Sequence, residues 1–532
     1  MVMHVLPHWR RFVLYVTKPK VALLIIEACI LVALMSVIVG ERGIIASQRH
    51  IMPAGDVFNF QSIARNIRHF DYPIREKRLP GFPLALLAGM SLGFDPTRVG
   101  IFISIASSAG TTLLLYALGR HFRFPVFPLA AILLLTSVAP LLTINGVRPL
   151  SDSYFMFLIV LSVYLTNVAR PTKRWAIAVG LALTLMSFTR YEGVPTALLL
   201  LLLLRFRMPW RLVLLACVPL LVAGLLWLPV AKKVHGSIRE FGYFRDAQEI
   251  ADIKTTPAEY LRVIKAAGFG RAWQIQEVWS EDKGARQDAQ QLIYSPVWWL
   301  SLLANVGVVW LVVVVRKKAL PLLVAFAFYP ILPAWWFLYS RYVAPMTAFY
   351  FFAAAAGAVG CWTIVRLLLH RWSLARPFVA VLLGALLVKL VLEVSPGLYA
   401  EAQARGWENN GNGYALYQAL QSLRNRPEHV AVSFDYLMAY MMLGTVPADG
   451  NPLNAGRGIY LSAKPNATPA ELFEYLKSKE AQILIDNGEK EYQELISYLR
   501  ARDAIERTET FQWTRQDKGV EKSHLHYLRL PR

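Results

Sequence analysis

Between about residues 21 and 394 the chain alternates apolar blocks with short polar connections, and most blocks approach the ~20 residues a helix needs to cross a bilayer. In hydrocarbon every backbone amide must be satisfied within the protein, so unbroken apolar blocks of this kind can only be helices. The pattern predicts helices near 21–40, 99–118, 125–143, 153–169, 175–189, 193–205, 212–231, 294–315, 319–338, 343–365 and 377–394. Composition agrees: of 532 residues, 56% are hydrophobic and only 17% charged, with a mean hydropathy of +0.40. Val21–Gly40 is longer than a signal-peptide core and lacks a small-residue cleavage site, so it reads as a retained anchor. Cys29, Cys217 and Cys361 all fall inside apolar blocks, which argues against a disulfide framework or a zinc cluster.

The net charge of +21 would suit a nucleic-acid binder, but its distribution points elsewhere. Basic residues crowd into every second connection. They are Arg10, Arg11, Lys18 and Lys20, then Arg120 and Arg123, then Arg170, Lys173 and Arg174. The series continues with Arg205, Arg207 and Arg211, then Arg316, Lys317 and Lys318, then Arg366, Arg371 and Arg376. None of these connections holds an acidic residue, which is the positive-inside signature of an inner-membrane protein. The basic excess is therefore an orientation signal, with no nucleic-acid partner implied. The other connections, 41–97, 144–152, 190–193, 232–293, 339–342 and everything after 395, face outward. About eleven helices result, with the N-terminus inside and the C-terminal segment outside.

The outer face collects the polar residues that composition does not explain. Val57, Phe60, Ile63, Ala64, Ile67 and Phe70 recur at helical spacing after the Pro53-Ala54-Gly55 break, with Asp56 at the helix start. That spacing predicts a surface-lying amphipathic helix with Arg65 and Arg68 at the lipid headgroups. A basic run comes next, Arg75-Glu76-Lys77-Arg78, then an apolar stretch to Leu92 that is short for a span and reads as half-inserted. Arg148 and Asp152 bracket Pro149, Arg190-Tyr191-Glu192 forms a tight turn, and Ser340-Arg341-Tyr342 joins two helices. Outer arginines run against the positive-inside tendency. Each is explained either by snorkelling or local pairing, such as Arg190 with Glu192, or by a ligand. A carboxylate can take a proton from an acceptor, and arginines can hold a phosphate through two parallel hydrogen bonds. The outer segment 232–293 carries polar helical stretches at 257–267 and 286–292, with Trp273 and Trp279 suited to the interface.

These segments carry a family resemblance. Gly55-Asp56-Val57-Phe58-Asn59-Phe60-Gln61-Ser62-Ile63-Ala64-Arg65-Asn66 resembles the first-loop motif of the GT-C glycosyltransferases, in particular the family 39-like bacterial relatives of protein O-mannosyltransferases and lipid A aminoarabinose transferases. Leu79-Pro80-Gly81-Phe82-Pro83-Leu84 is similar to that family's Pro-Gly-Tyr-Pro-Leu segment, and Ser151-Asp152-Ser153-Tyr154-Phe155 to its Ser-Glu-Pro-Leu-Phe. Thr189-Arg190-Tyr191-Glu192-Gly193 resembles its Thr-Arg-Pro-Glu-Gly, and Arg341-Tyr342-Val343-Ala344-Pro345 its Arg-Tyr-x-x-Pro. Many members carry a second acidic residue directly after the first; here that position is Val57.

The resemblance implies a fold and a reaction. The fold is an α-helical polytopic membrane domain over 1–395, with outer loops 41–97 and 232–293, followed by a small extracytoplasmic α/β domain over 396–532. The reaction is transfer of a sugar, with inversion, from a polyprenyl-phosphate carrier to a lipid, polysaccharide or protein acceptor. Asp56 is then the candidate general base. Arg78 and Arg341, with Arg190 behind them, are candidates to bind the lipid phosphate, Lys77 being the alternative to Arg78. Asp152 would support those groups or touch the sugar, and Glu192 and Tyr342 complete the substrate-binding set. No cofactor is implied, and with Val57 in place of a second acid no clear divalent-cation site is either. Two rivals are an O-antigen ligase or polymerase and a transporter. The first would not be expected to carry the first-loop Asp motif. The second should show repeated halves and charges near the midplane, where the chain shows only Glu27 and Lys389.

After about 395 the composition becomes that of a soluble domain. Helices are predicted at Tyr414–Leu423, Pro469–Lys477 and Glu491–Arg500, and strands at His429–Asp435, Ala481–Asn487, 508–514 and 523–530. The alternation implies a sheet that is mostly parallel at first. The stretch 445–457, rich in Pro, Gly and Asn, reads as a loop, and Asp435, Asp486, His524 and His526 as ordinary strand-end residues.

Overall fold

The computed structural model describes residues 19–48, 56–68, 72, 78–138, 140–235, 298–328, 344–368, 385, 389, 419, 422–423, 428–432, 458–461, 467–486, 490–515 and 519–530. The predicted helix 377–394, most of the outer segment 232–293, Lys77, Arg341 and Tyr342 lie outside or largely outside these. The chain divides into two compact units. One comprises 1–47, 101–224 and 249–403, the other 48–100, 225–248 and 404–532.

The helices are α1 (Pro19–Gln48), α2 (Asp56–Arg68), α3 (Gly81–Ser91), α4 (Pro96–His121), α5 (Val126–Val138) and α6 (Pro140–Asn145). They continue with α7 (Ser151–Val168), α8 (Lys173–Thr189), α9 (Gly193–Leu204), α10 (Trp210–His235), α11 (Trp298–Trp310), α12 (Leu320–Phe328) and α13 (Ala344–Leu368). Among the described residues four stretches are long and apolar enough to cross a membrane: Pro96–His121, Ser151–Val168, Trp210–Lys232 and Thr347–Val365. The segment read as one helix over 125–143 is helical over Val126–Val138 and over Pro140–Asn145, and it carries Pro140 inside it. Proline has no N–H to continue the ladder and its ring crowds the preceding turn.

In the first unit the helix interfaces are close. A Cβ on Gly307 would lie 1.7 Å from the Ala353 carbonyl oxygen, and one on Gly357 would lie 1.9 Å from that of Leu303. Backbone thus meets backbone where α11 crosses α13, an approach that small residues permit. Leu34 and Ile38 of α1 pack with Ala109 of α4 and Leu134 of α5. Glu27, the acidic exception in the first apolar block, is not left alone in that surface. Arg120 Nε donates to its Oε1 at 2.7 Å and the Tyr116 hydroxyl donates to the same oxygen at 2.8 Å. Arg120 Nη2 donates to Glu27 Oε2 at 3.4 Å, and Nη1 reaches the Phe124 carbonyl at 2.7 Å.

In the second unit α2 packs along α3, with Phe60 and Phe82 edge to face at 5.2 Å. Val57, Phe60, Ile63 and Ala64 are buried, and so are Gln61 and Ser62 on the neighbouring positions. The helix is therefore embedded in protein rather than lying on lipid. Amphipathic spacing marks an apolar face without saying whether lipid or protein will cover it.

The same unit holds a five-stranded sheet of order β2-β1-β3-β5-β4. Its strands are β1 (Val430–Val432), β2 (Gly458–Tyr460), β3 (Ile483–Asp486), β4 (Ile505–Arg515) and β5 (Gly519–Leu528). β1 runs parallel to β2 and β3, whereas β5 is antiparallel to β3 and β4. Helices α14 (Pro469–Ser478) and α15 (Lys490–Ala501) supply Leu472, Phe473, Leu476, Leu495, Ile496 and Leu499 to the core over Ala431, Ile459 and Leu484. Thr468 caps α14 in a reciprocal box with Glu471, each side chain meeting the other's backbone N–H.

Candidate functional site

Two polar constellations coincide with the motifs of the sequence. The first is built on the α2–α3 hairpin. Asp56 begins α2; Asn59 lies one turn further on, and positions three apart share a helix face. Arg78 is brought to that face from the connection before α3. With the Asn59 carboxamide turned so that its oxygen faces the guanidinium, that oxygen accepts from Arg78 Nη1 at 2.9 Å and Nη2 at 2.7 Å. The Arg78 guanidinium also sits 5.9 Å from the centre of the Phe60 ring. Its backbone is held too: the Tyr72 hydroxyl donates to the Arg78 carbonyl, and Tyr72 meets Trp227 edge to face at 5.0 Å. Arg78 is thus fixed at both ends, which suits a residue that must present charge in one direction. Sequence reasoning missed Asn59, although its i+3 spacing from Asp56 was visible.

The second constellation joins α7, α8 and α9. Asp152 stands in the first turn of α7 and is 3% exposed. Arg190 comes directly after α8, and Glu192 precedes α9. Arg190 Nη1 donates to Asp152 Oδ1 at 2.5 Å, Nη2 to Glu192 Oε1 at 2.9 Å and Nε to Glu192 Oε2 at 3.4 Å. The guanidinium lies 5.5 Å from the centre of the Phe155 ring. The sequence pairs Arg190 with Glu192 alone. The fold adds Asp152, 38 positions earlier, and binds both carboxylates to one guanidinium. Ser104 Oγ donates to the Arg148 carbonyl at 2.5 Å, fixing the turn that leads into α7.

In the sheet, Asp486 of β3 lies beside His524 and His526 of β5, which the sequence marked as ordinary strand-end residues. Thr508 Oγ1 lies 2.8 Å from His526 Nδ1, and Thr510 Oγ1 lies 2.9 Å from His524 Nδ1. These are cross-strand pairs of β4 and β5 in direct register. Asp486 Oδ2 is 3.9 Å from His526 Nε2 and accepts from Gln493. Partial burial pushes the His524 pKa below its usual value, with Asp486 opposing the shift. Among the described residues no three His, Cys, Asp or Glu side chains converge on a metal-sized site.

No protein-family model and no curated protein sequence matches the chain. Solved structures do. The chain is similar to ArnT from Cupriavidus metallidurans bound to undecaprenyl phosphate, with 12% identity and a TM-score of 0.53, over 95% of this chain and 98% of that one. It is also similar to the apo oligosaccharyltransferase of Archaeoglobus fulgidus, with 14% identity and a TM-score of 0.53, over 87% of this chain and 69% of that one. It is similar as well to the oligosaccharyltransferase AglB from Archaeoglobus fulgidus in complex with an inhibitory peptide and a dolichol-phosphate, with 13% identity and a TM-score of 0.50, over 93% of this chain and 74% of that one.

Proposed function

We propose that this chain, which has the GT-C glycosyltransferase fold, transfers a sugar from a polyprenyl-phosphate carrier to an acceptor outside the cytoplasm, inverting the anomeric carbon. The observation that carries the reading is the Arg78–Asn59 fork on the helix that Asp56 begins. It pairs a carboxylate-bearing position with an anchored guanidinium, inside a fold whose solved examples hold lipid phosphates. Asp56 withdraws the acceptor proton during in-line attack. Arg78 and Arg341 bind the carrier phosphate and stabilise the charge it gains on leaving. Arg190 serves differently: its three nitrogens all face carboxylates, so it holds Asp152 and Glu192 in place for contacts with the substrate. Tyr342 adds a substrate contact next to Arg341 in the chain. Topology supports a lipid-borne donor, because the alternating basic connections put the motif loops outside while nucleotide sugars are made inside. The acceptor is a lipid, polysaccharide or protein of the cell envelope.

The test is mass spectrometry of envelope glycolipids, polysaccharides and glycoproteins from a deletion strain. Loss of one sugar from one acceptor class, restored by the wild-type gene, is expected. Build-up of a lipid-linked sugar on the inner leaflet with no transfer defect in vitro would instead make the protein a flippase and sink the proposal.

Asn59 gives a narrower prediction. Asn59→Leu removes the acceptor that aims Arg78, and a hydrogen bond to a charged group contributes about 1.5–3 kcal/mol. Affinity for undecaprenyl phosphate in nanodiscs should fall roughly 10-fold. Asn59→Asp should weaken it as well, because a carboxylate there competes with the phosphate for the guanidinium. Unchanged affinity in both variants would remove Arg78 from the phosphate site.

A further inference from the structure

Arg42 is buried to 1% exposure near the end of α1 opposite Glu27, although no motif singled it out. A guanidinium in apolar surroundings costs several kcal/mol unless its donors are matched, so its partners carry information. Nη1 donates to the Ile38 carbonyl of its own helix at 3.4 Å, and the Glu41 carboxylate is 3.6 Å away. Nη2 crosses to α5 and donates to the Thr136 carbonyl at 3.2 Å. In an unbroken helix that carbonyl would accept from the N–H of residue 140. Residue 140 is proline and has none. Arg42 therefore supplies the donor that Pro140 removes, inside the packed protein where water does not reach it.

The same side chain also shapes the segment beyond Pro140. A Cβ at Gly146 would stand 2.4 Å from Arg42 Nε and 2.8 Å from the Leu142 carbonyl oxygen. The guanidinium is thus laid against the Gly146 backbone, which only glycine leaves open. From there the chain runs four residues to Leu150, with the Arg148 carbonyl taken by Ser104 Oγ and by the Leu150 N–H at 2.8 Å. The next turn delivers Asp152 to Arg190.

We infer that Arg42 is a positioning residue: by bonding the Thr136 carbonyl that Pro140 cannot serve and lying on Gly146, it sets the path of 146–152 and with it the Asp152–Arg190 contact. The inference rests on the proposed transferase reading, in which that contact belongs to the substrate site.

The full chain in nanodiscs tests it, using Arg42→Met, Arg42→Lys and the double variant Arg42→Met/Pro140→Ala, which returns a backbone N–H to the Thr136 carbonyl. Amide hydrogen exchange at 141–152 and 186–193 needs no substrate. It should rise about 10-fold in Arg42→Met, stay unchanged in α11 and α13, and return part of the way in the double variant. Affinity for undecaprenyl phosphate should stay within about twofold of wild type, while restoration of the missing envelope sugar in the deletion strain falls about 10-fold per folded molecule. Arg42→Lys, which keeps a donor, should lie between and covers the case in which the Met variant does not fold. Faster exchange with full restoration would reduce Arg42 to a structural residue and overturn the inference. A uniform rise in exchange over every helix would do the same. A deletion strain that lacks no sugar would strike the transferase reading itself, a result separable from the exchange pattern.

Discussion

Replacing Asp56 by Asn should leave a folded, membrane-inserted protein that binds undecaprenyl phosphate normally yet transfers sugar at least ~100-fold more slowly, the low end for loss of a general base. The residue begins α2, where a carboxylate also favours the helix N-terminus, so stability and chemistry must be separated. Asn caps a helix about as well as Asp, and the substitution forfeits only a small dipole contribution. An amide, however, takes no proton at neutral pH. Asp56→Ala should be equally inactive and roughly 1 kcal/mol less stable. The measurements are thermal unfolding in detergent, lipid-phosphate affinity in nanodiscs and turnover of lipid-linked sugar. Near-wild-type turnover in the Asn variant would leave Asp56 a helix start and nothing more. Asp152 would be the next carboxylate to test, although its Oδ1 is already engaged by Arg190.

The second large effect is expected at Arg190. Arg190→Ala removes the one guanidinium shared by Asp152 and Glu192, whose side chains are 4% and 16% exposed. Breaking a buried ion pair by deleting one partner costs about 3–5 kcal/mol, because a charge is left without compensation. Here two like charges would face each other across the emptied position. Arg190→Lys keeps the charge but loses the planar fork, and one ammonium does not reproduce three directed contacts. It should recover part of the stability and little of the activity. Unfolding of both variants at pH 7 checks this. If Arg190→Ala is as stable as wild type at pH 7, the two carboxylates are not held by Arg190 in the membrane-embedded protein.

Several elements departed from the sequence expectation for identifiable reasons. The 125–143 block is apolar throughout, so hydropathy ran straight across Pro140 and gave no sign that the Thr136 carbonyl would take its donor from Arg42. β2, directly after the expected 445–457 loop, was not foreseen, because three residues, Gly458–Tyr460, carry little periodicity and become a strand by pairing with β1. The amphipathic α2 was placed on lipid, whereas α3 covers it. By contrast α14, α15 and the strands β4 and β5 were legible, since each repeats its pattern over many residues, though the antiparallel pairing of the two strands was not.

The sequence by itself determined the elements whose free energy is settled locally. Apolar blocks had to be helices because each must satisfy its own backbone, and the motifs fell at the ends of those helices because polar groups are costly within them. Which polar groups meet was decided only by tertiary packing. Asn59 turning to Arg78, Asp152 joining Glu192 on Arg190, and Arg42 answering the carbonyl that Pro140 orphaned all join residues whose spacing in the chain carries no signal of contact. In each case a buried donor or charge has to be matched, and the partner is whichever group the folded helices bring within about 3 Å.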